Sequence, residues 1–487
     1  MSRNAAIEPR TVRAAGMALA ALAVLLHGVL LVRRYPAAYL DSDLLSYLTF
    51  YRDLRAGTPL PFGYTVPKVL PVLMLGPLAD PARALWLSVA VAAAGGAMVF
   101  ALALDAFGLA TAVVATGAYV LDPLRAVLTL RSSVDLYVGV ALLAAIVAMW
   151  HRAVGRAAIL ILVAALGKPV AAVCGLAILS VPGIALGRRC VLALLPALAA
   201  PANALLAAVL AGGNGLGLAQ LAVPGQFASF LRISQGHPLG AQEIFTLIFM
   251  DWLRATLFVH TWPLVLAGAA LYLASRRSLA SAEGPARGVD QGALLLLVPA
   301  LLCAGYAAFA IVQPLVVFIR FFWLLEVIFA VFAAHAAVRL ARMVPVSGAL
   351  QTAFLAALAL VLAADLRANQ ERQDRVMLLP IEVRADLAEH AIATIAEDRE
   401  CAGPAVVPLE YLSLAAWRAP SKLARGELCA AEDWADGRGC RDPRCVLLMP
   451  DMPITERARQ AMGELVKSGY TVEVGNEFGA LVRATDG

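Results

Sequence analysis

Two aspartates and two lysines carry the residue types and spacing best suited to chemistry. Asp41 and Asp43 lie in "YPAAYLDSDLLSYLTFYRDLRAG", a few residues beyond the first long apolar run. Paired carboxylates there suit general-base catalysis, or they bind a divalent cation such as Mg or Mn. Asp and Ser are also preferred helix N-caps, and "LLSYLTFYRDLRAG" reads as an amphipathic helix ended by Gly57. Arg52 and Arg55 then lie on its polar face, at a membrane surface. Capping accounts for one aspartate without requiring two. A helix N-terminus also favours an ionised carboxylate, so capping and catalysis are compatible. Lys68 ("VPKV") and Lys168 ("GKPV") are the two lysines of the first 364 residues, and each stands beside a proline. A compact ammonium near a helix end suits a phosphate; the alternative is snorkelling to lipid headgroups.

The elements that position these groups are membrane helices. The 487 residues are 61% hydrophobic and 15% charged, with mean hydropathy +0.79, where soluble proteins carry roughly a quarter charged residues. Repeated apolar runs of spanning length separated by short charged loops define a polytopic α-helical membrane protein. Hydropathy predicts about 11 transmembrane helices: 14–32, 81–104, 109–121, 135–150, a pair within 157–186, 190–211, 255–274, 293–312, 321–338 and 346–364. The pair within 157–186 follows from two facts. Basic groups flank it on both sides (Arg152/Arg156 and Arg188/Arg189), and Gly167-Lys168-Pro169 interrupts its middle. Arg3, Arg10 and Arg13 place the N-terminus in the cytoplasm, and no small-residue cleavage site follows the first span, which reads as an anchor. Eleven crossings put everything after Asp365 outside. The Ala/Arg-rich composition points to a bacterial inner (plasma) membrane.

Residues 1–364 are thus a transmembrane domain with a first outer loop at 33–80, and 365–487 a small extracytoplasmic α/β domain. In the latter, 381–398 reads as a helix, "AVVPLEY", "CVLLMP", "YTVEVG" and "FGALVRA" as strands, and "ITERARQAMGELVKSG" as an amphipathic helix. Cys401, Cys429, Cys440 and Cys445 are an even set in an oxidising compartment, which predicts two disulfides with three possible connectivities. Their spacing fits no usual zinc pattern. Support or acceptor recognition suits this domain better than catalysis.

The outer loops gather the remaining ionisable candidates: Arg52, Asp122, Arg125, Arg131, Asp135, Arg232, His237 and Arg320. Such groups near membrane depth mark a substrate path. His237, in "SQGHPLG", binds substrate or occupies a turn. Glu326, two turns into a span, pairs with a basic residue on another span or lines the cavity. His27 and His335, in apolar runs, read as helix-packing residues.

Asp43-Leu44-Leu45-Ser46-Tyr47 resembles the first outer loop of GT-C glycosyltransferases, in which an acidic residue just after the first membrane helix is followed by Tyr four positions on. "YLDSD" is similar to the Asp-x-Asp form of mannosyltransferases in this class, and the surface helix "FYRDLRAG" and the proline-containing "GYTVPKVLPVLMLGPLA" continue the likeness. The residue-level match covers about thirty positions, and the Asp-Glu version of the motif is absent. The resemblance implies an inverting transfer from a polyprenyl-phosphate sugar to a lipid, glycan or protein acceptor, without nucleic acid. Asp43 is then the general base. Asp41 orients it or joins it on a cation, and Lys68, Arg131, Lys168 or Arg320 stabilises the leaving phosphate. Three other readings remain: a transporter of a lipid-linked or anionic substrate, a glycan polymerase or ligase using Arg232 and His237, and a cell-envelope scaffold.

Overall fold

The computed structural model describes residues 9–40, 44–56, 68–210, 293–312, 323–343, 379–397, 401–431, 440–449, 470–476 and 479–484, with a few isolated positions. Asp41, Asp43, His237 and Arg320 lie outside the described residues. So do the spans expected at 255–274 and 346–364, and nearly all of the amphipathic helix "ITERARQAMGELVKSG".

Helix α1 (Pro9–Arg34) is followed by a 3-10 turn (Ala38–Leu40), then α2 (Leu44–Ala56), α3 (Val69–Leu75) and α4 (Pro81–Phe107). α5 (Leu109–Val120) and α6 (Pro123–Leu130) form one pass bent by 53°, and α7 (Val134–Trp150) and α8 (Val154–Gly167) follow. A 3-10 helix (Pro169–Ser180) returns antiparallel to α8, so the interrupted hairpin is present, its second arm 3-10 rather than α. α9 (Leu186–Leu194) and α10 (Ala199–Leu210) then make a pass that begins four residues before the sequence expectation. α11 (Ala293–Val312) and α12 (Trp323–Met343) complete the described bundle. Among the described residues, four helices are long and apolar enough to cross a membrane, or five with the bent pair counted once.

Local chemistry sets the helix ends. Asp80 caps α4 by accepting from the Ala82 N–H at 2.9 Å, with Pro81 in the first position, and Asp122 with Pro123 does the same for α6. Gly108, at φ +90°, makes the reversal between α4 and α5, a conformation that L side chains rarely adopt. Small residues let α1 and α4 pack antiparallel: Gly96 faces Val24, and Gly28 faces Val89. Leu19, Leu22, Leu26 and Leu30 of α1 are exposed, an apolar surface suited to lipid.

Helix direction sorts the ends onto two faces. Arg13, Asp105 and His151 meet at the first face. Arg13 pairs with Asp105 at 3.0 Å, and His151 Nε2 lies 3.0 Å from the same carboxylate. The C-terminal ends of α1 and α6, the N-terminal ends of α2 and α7, and Lys168 lie toward the second. The C-terminal domain packs on that second face, where the Ala37 N–H donates to Glu382.

That domain begins with α13 (Leu379–Glu397) and continues through β1 (Ala405–Val407), α14 (Leu409–Arg418), α15 (Pro420–Ala424), β2 (Leu428–Ala430), β3 (Cys445–Leu448), β4 (Tyr470–Asn476) and β5 (Gly479–Ala484). The sheet order is β2-β1-β3-β5-β4, with β1 parallel to β2 and β3, and β5 antiparallel to β3 and β4. "AVVPLEY" is therefore a strand only through Val407. Pro408 lacks an N–H for a sheet ladder and stands as N-cap of α14, so Leu409, Glu410 and Tyr411 are helical. Cys401–Cys445 and Cys429–Cys440 are the disulfides, with Cα separations of 5.6 and 5.9 Å.

Candidate functional site

The second face assembles side chains from four parts of the chain. Tyr47 points inward from the first turn of α2 and is fully buried. Its hydroxyl accepts from Lys68 Nζ at 3.4 Å, and the ammonium lies 6.0 Å from the ring centroid. This Tyr–Lys contact sits one helical turn past the position of Asp43 in the sequence. Lys68 precedes α3, and the next N–H, that of Val69, donates to Asn203 Oδ1 of α10 at 2.8 Å. That bond fixes the amide, and its Nδ2 is buried without a hydrogen-bond partner among the described residues. Leu70 packs against Gly167, so the start of α3 abuts the hairpin that carries Lys168.

Lys168 is buried and forms an ion pair with Asp135, while its ammonium lies 5.7 Å from the centre of the Tyr306 ring. Ser133 supports the carboxylate, donating to Asp135 Oδ2 at 3.2 Å and accepting from the Asp135 N–H at 3.3 Å. Reading these residues as outer-loop charges therefore needs correction. Asp135 lies in the first turn of α7, buried, and Lys168 meets a carboxylate inside the bundle. Partnering is the expected state of charge at such depth.

A second polar group lies deeper. Asp122 accepts from Trp323 Nε1 at 2.8 Å while it caps α6. Arg125 has no solvent exposure. It donates to the Tyr119 and Val120 carbonyls at 3.0 and 2.9 Å, and its Nη2 lies 2.6 Å from His27 Nδ1. These two residues too were expected in a loop, and they belong to a buried helix instead. His27 is thus a partner of Arg125, whereas His335 stacks on Phe107 with centroids 4.1 Å apart. Arg131 stands half-buried at the C-cap of α6. Arg52, on α2, reaches across to the C-terminal domain, its guanidinium 5.7 Å from the Trp417 ring. Glu326 is buried within α12.

Of the candidates singled out in the sequence, the structure brings Tyr47 to Lys68, Lys168 to Asp135 and Arg52 to Trp417. Sequence reasoning missed Asn203, Tyr306 and Trp323. Asn203 is the one amide in the apolar run "LLPALAAPANALLAAVLA", a signal of the kind that marks membrane polar sites. Among the described residues no group of three His, Cys, Asp or Glu side chains is placed to hold a metal.

No protein-family model and no curated protein matches the sequence. Solved structures do. The apo oligosaccharyltransferase of Archaeoglobus fulgidus aligns at TM-score 0.55 and 12% identity, covering 91% of this chain and 70% of that one. The A. fulgidus oligosaccharyltransferase AglB in complex with an inhibitory peptide and a dolichol-phosphate gives 0.48 at 12% identity, over 84% and 64%. ArnT from Cupriavidus metallidurans bound to undecaprenyl phosphate gives 0.44 at 13%, over 96% and 97%. The likeness to the first of these is one of fold: the chain shares that oligosaccharyltransferase's architecture, with helices long and apolar enough to cross a membrane and a small C-terminal sheet domain.

Proposed function

We propose that this GT-C-like chain is a glycosyltransferase that moves a sugar from a polyprenyl-phosphate donor to a lipid, glycan or protein acceptor. The reaction takes place at the face bearing the C-terminal domain. The observation that carries this reading is the contact of Lys68 with Tyr47 at the start of α2, directly after the aspartate segment. It supports the reading by setting an ammonium against the helix that directly follows the aspartate segment. Asp43 takes the proton of the acceptor hydroxyl as that oxygen attacks the anomeric carbon. The bond from that carbon to the phosphate oxygen breaks with inversion, and the polyprenyl phosphate leaves with an added negative charge. Lys68 stabilises that charge, with Arg131 and Arg320 as further donors. Asp41 orients Asp43 or shares a divalent cation (Mg or Mn) with it; such an ion would stabilise the leaving phosphate electrostatically.

The test uses purified protein and its Asp43→Asn and Asp41→Asn variants with a panel of radiolabelled polyprenyl-phosphate sugars and a membrane lipid or glycan extract. Transfer by the parent should fall by about 10²–10⁴-fold in Asp43→Asn with donor binding retained. Full activity in that variant discards the base assignment. Donor binding without transfer to any acceptor shifts weight to a transporter, a role for which buried charge pairs such as Lys168–Asp135 are also suited.

A further inference from the structure

The described chain on either side of residues 41–43 touches the C-terminal domain. On its N-terminal side, the Ala37 N–H donates to both oxygens of Glu382, at 2.9 and 3.0 Å, and the Ala38 N–H is directed at the same carboxylate. The neighbouring residue Ile381 is buried in a cluster with Leu31, Tyr35, Ala38 and the α6 residues Val127 and Leu130. On the C-terminal side, Trp417 of α14 faces Arg52 of α2. Glu382, Ile381 and Trp417 all belong to the C-terminal domain. Leu40 and Leu44, the described residues on either side of 41–43, thus continue into chain that touches this domain, through backbone at Ala37 and through the Arg52 side chain.

We infer that Glu382 is a positioning residue for transfer: it fixes the backbone leading to Asp41 and Asp43, so docking of the C-terminal domain sets the geometry of the base. This rests on the glycosyltransferase reading. It also gives the domain a task beyond support or acceptor recognition. The chemistry is specific to a carboxylate. One N–H shared between two oxygens, with a second N–H adjacent, needs an acceptor-only group, and charge-assisted bonds of this kind are about twice as strong as neutral ones. The substitution Glu382→Gln would present an amide NH₂ to these donors and lose one of the two contacts while keeping nearly the same shape.

The experiment compares the full-length parent with Glu382→Gln. It measures kcat and KM for the donor, the melting midpoint, and hydrogen exchange of peptides covering 35–50. The expected result is a kcat lower by on the order of 10–100-fold, an unchanged donor KM and melting midpoint, and faster exchange confined to the 35–50 peptides. A transferring parent whose kcat survives Glu382→Gln overturns the inference and leaves the function intact. So does a uniform fall in melting midpoint and donor affinity together, which marks a merely structural residue. If the parent transfers no sugar at all, the glycosyltransferase reading fails and takes the catalytic part with it. Exchange then decides the remainder: unchanged protection in Glu382→Gln overturns the grip, and selective loss supports it.

Discussion

The buried Lys168–Asp135 pair can be separated into a structural and a functional part by a two-step perturbation. Both side chains are about nine-tenths buried, at 11% and 7% exposure. Lys168→Met strips Asp135 of that counter-charge while leaving Ser133 in place. Removing one member of a buried pair costs about 3–5 kcal/mol, because the remaining charge is uncompensated. At roughly 2 °C per kcal/mol, the detergent-solubilised protein should melt lower by on the order of 6–10 °C. The double variant Lys168→Met/Asp135→Leu removes both charges and should recover most of that loss, since replacing a buried pair by apolar side chains is often neutral. Donor binding by the double variant then reports on function alone. If Lys168 contacts the donor phosphate, the double variant is stable and binds poorly; if it is only a strut, binding returns. A Lys168→Met midpoint within a degree of the parent would refute the argument, because the pair would then be bearing no charge inside the bundle.

Other perturbations test the remaining structure. Gly139→Ala places a Cβ against the Trp323 ring, so it should destabilise by about 1–3 kcal/mol and shift the tryptophan emission; an unshifted spectrum contradicts that packing. Trp323→Phe should cost about 1–3 kcal/mol by orphaning one Asp122 oxygen, read as a lower urea midpoint. Loop-closure entropy assigns about 4 kcal/mol to Cys401–Cys445, which closes 44 residues, and about 3 kcal/mol to Cys429–Cys440, which closes 11. Paired Ser substitutions should therefore expose the C-terminal domain to protease in that order. Lys422, whose ammonium burial pulls below the usual lysine range, donates to the Cys401 and Gly403 carbonyls at 2.6 and 2.9 Å. Lys422→Met should cost about 2–3 kcal/mol, with limited proteolysis as the measure; unchanged cleavage rejects this role.

Legibility in the sequence followed the range of the interaction. The described apolar helices, the hairpin at Gly167-Lys168-Pro169 and four of the five strands were readable because apolar periodicity and helix breakers act locally. The strand Leu428–Ala430 was too short to show a period, and the break at Pro408 was overlooked within an apolar run. Lys168 and Asp135 were both noticed, yet their pairing depends on α8 lying against α7, a contact 33 positions apart that no local pattern encodes. Asn203 illustrates the same limit. Its value comes from reaching the Val69 N–H, 134 positions away. The cysteines were readable as a pair of disulfides, whereas the choice among three connectivities required the sheet that puts β1 between β2 and β3.

Arginine placement and cysteine pairing point the same way on which face is which, with Arg33 and Arg34 at the end of α1 against them. Arginines that favour the cytoplasmic side gather at the face where Arg13 meets Asp105 and His151, and where Arg339 and Arg342 end α12. The opposite face carries the domain whose four cysteines are paired, a state maintained in oxidising compartments. Both are consistent with the proposed extracytoplasmic side being the face that carries Tyr47 and Lys68. On the proposed reading, a transferase acting on that side has no supply of cytoplasmic nucleotide sugars, so its donor would arrive attached to lipid. Lys68, half-buried at the start of α3, lies beside the helix that follows the aspartates. The lipid-linked donor follows from the proposed orientation, and the position of this cation is a separate observation consistent with it.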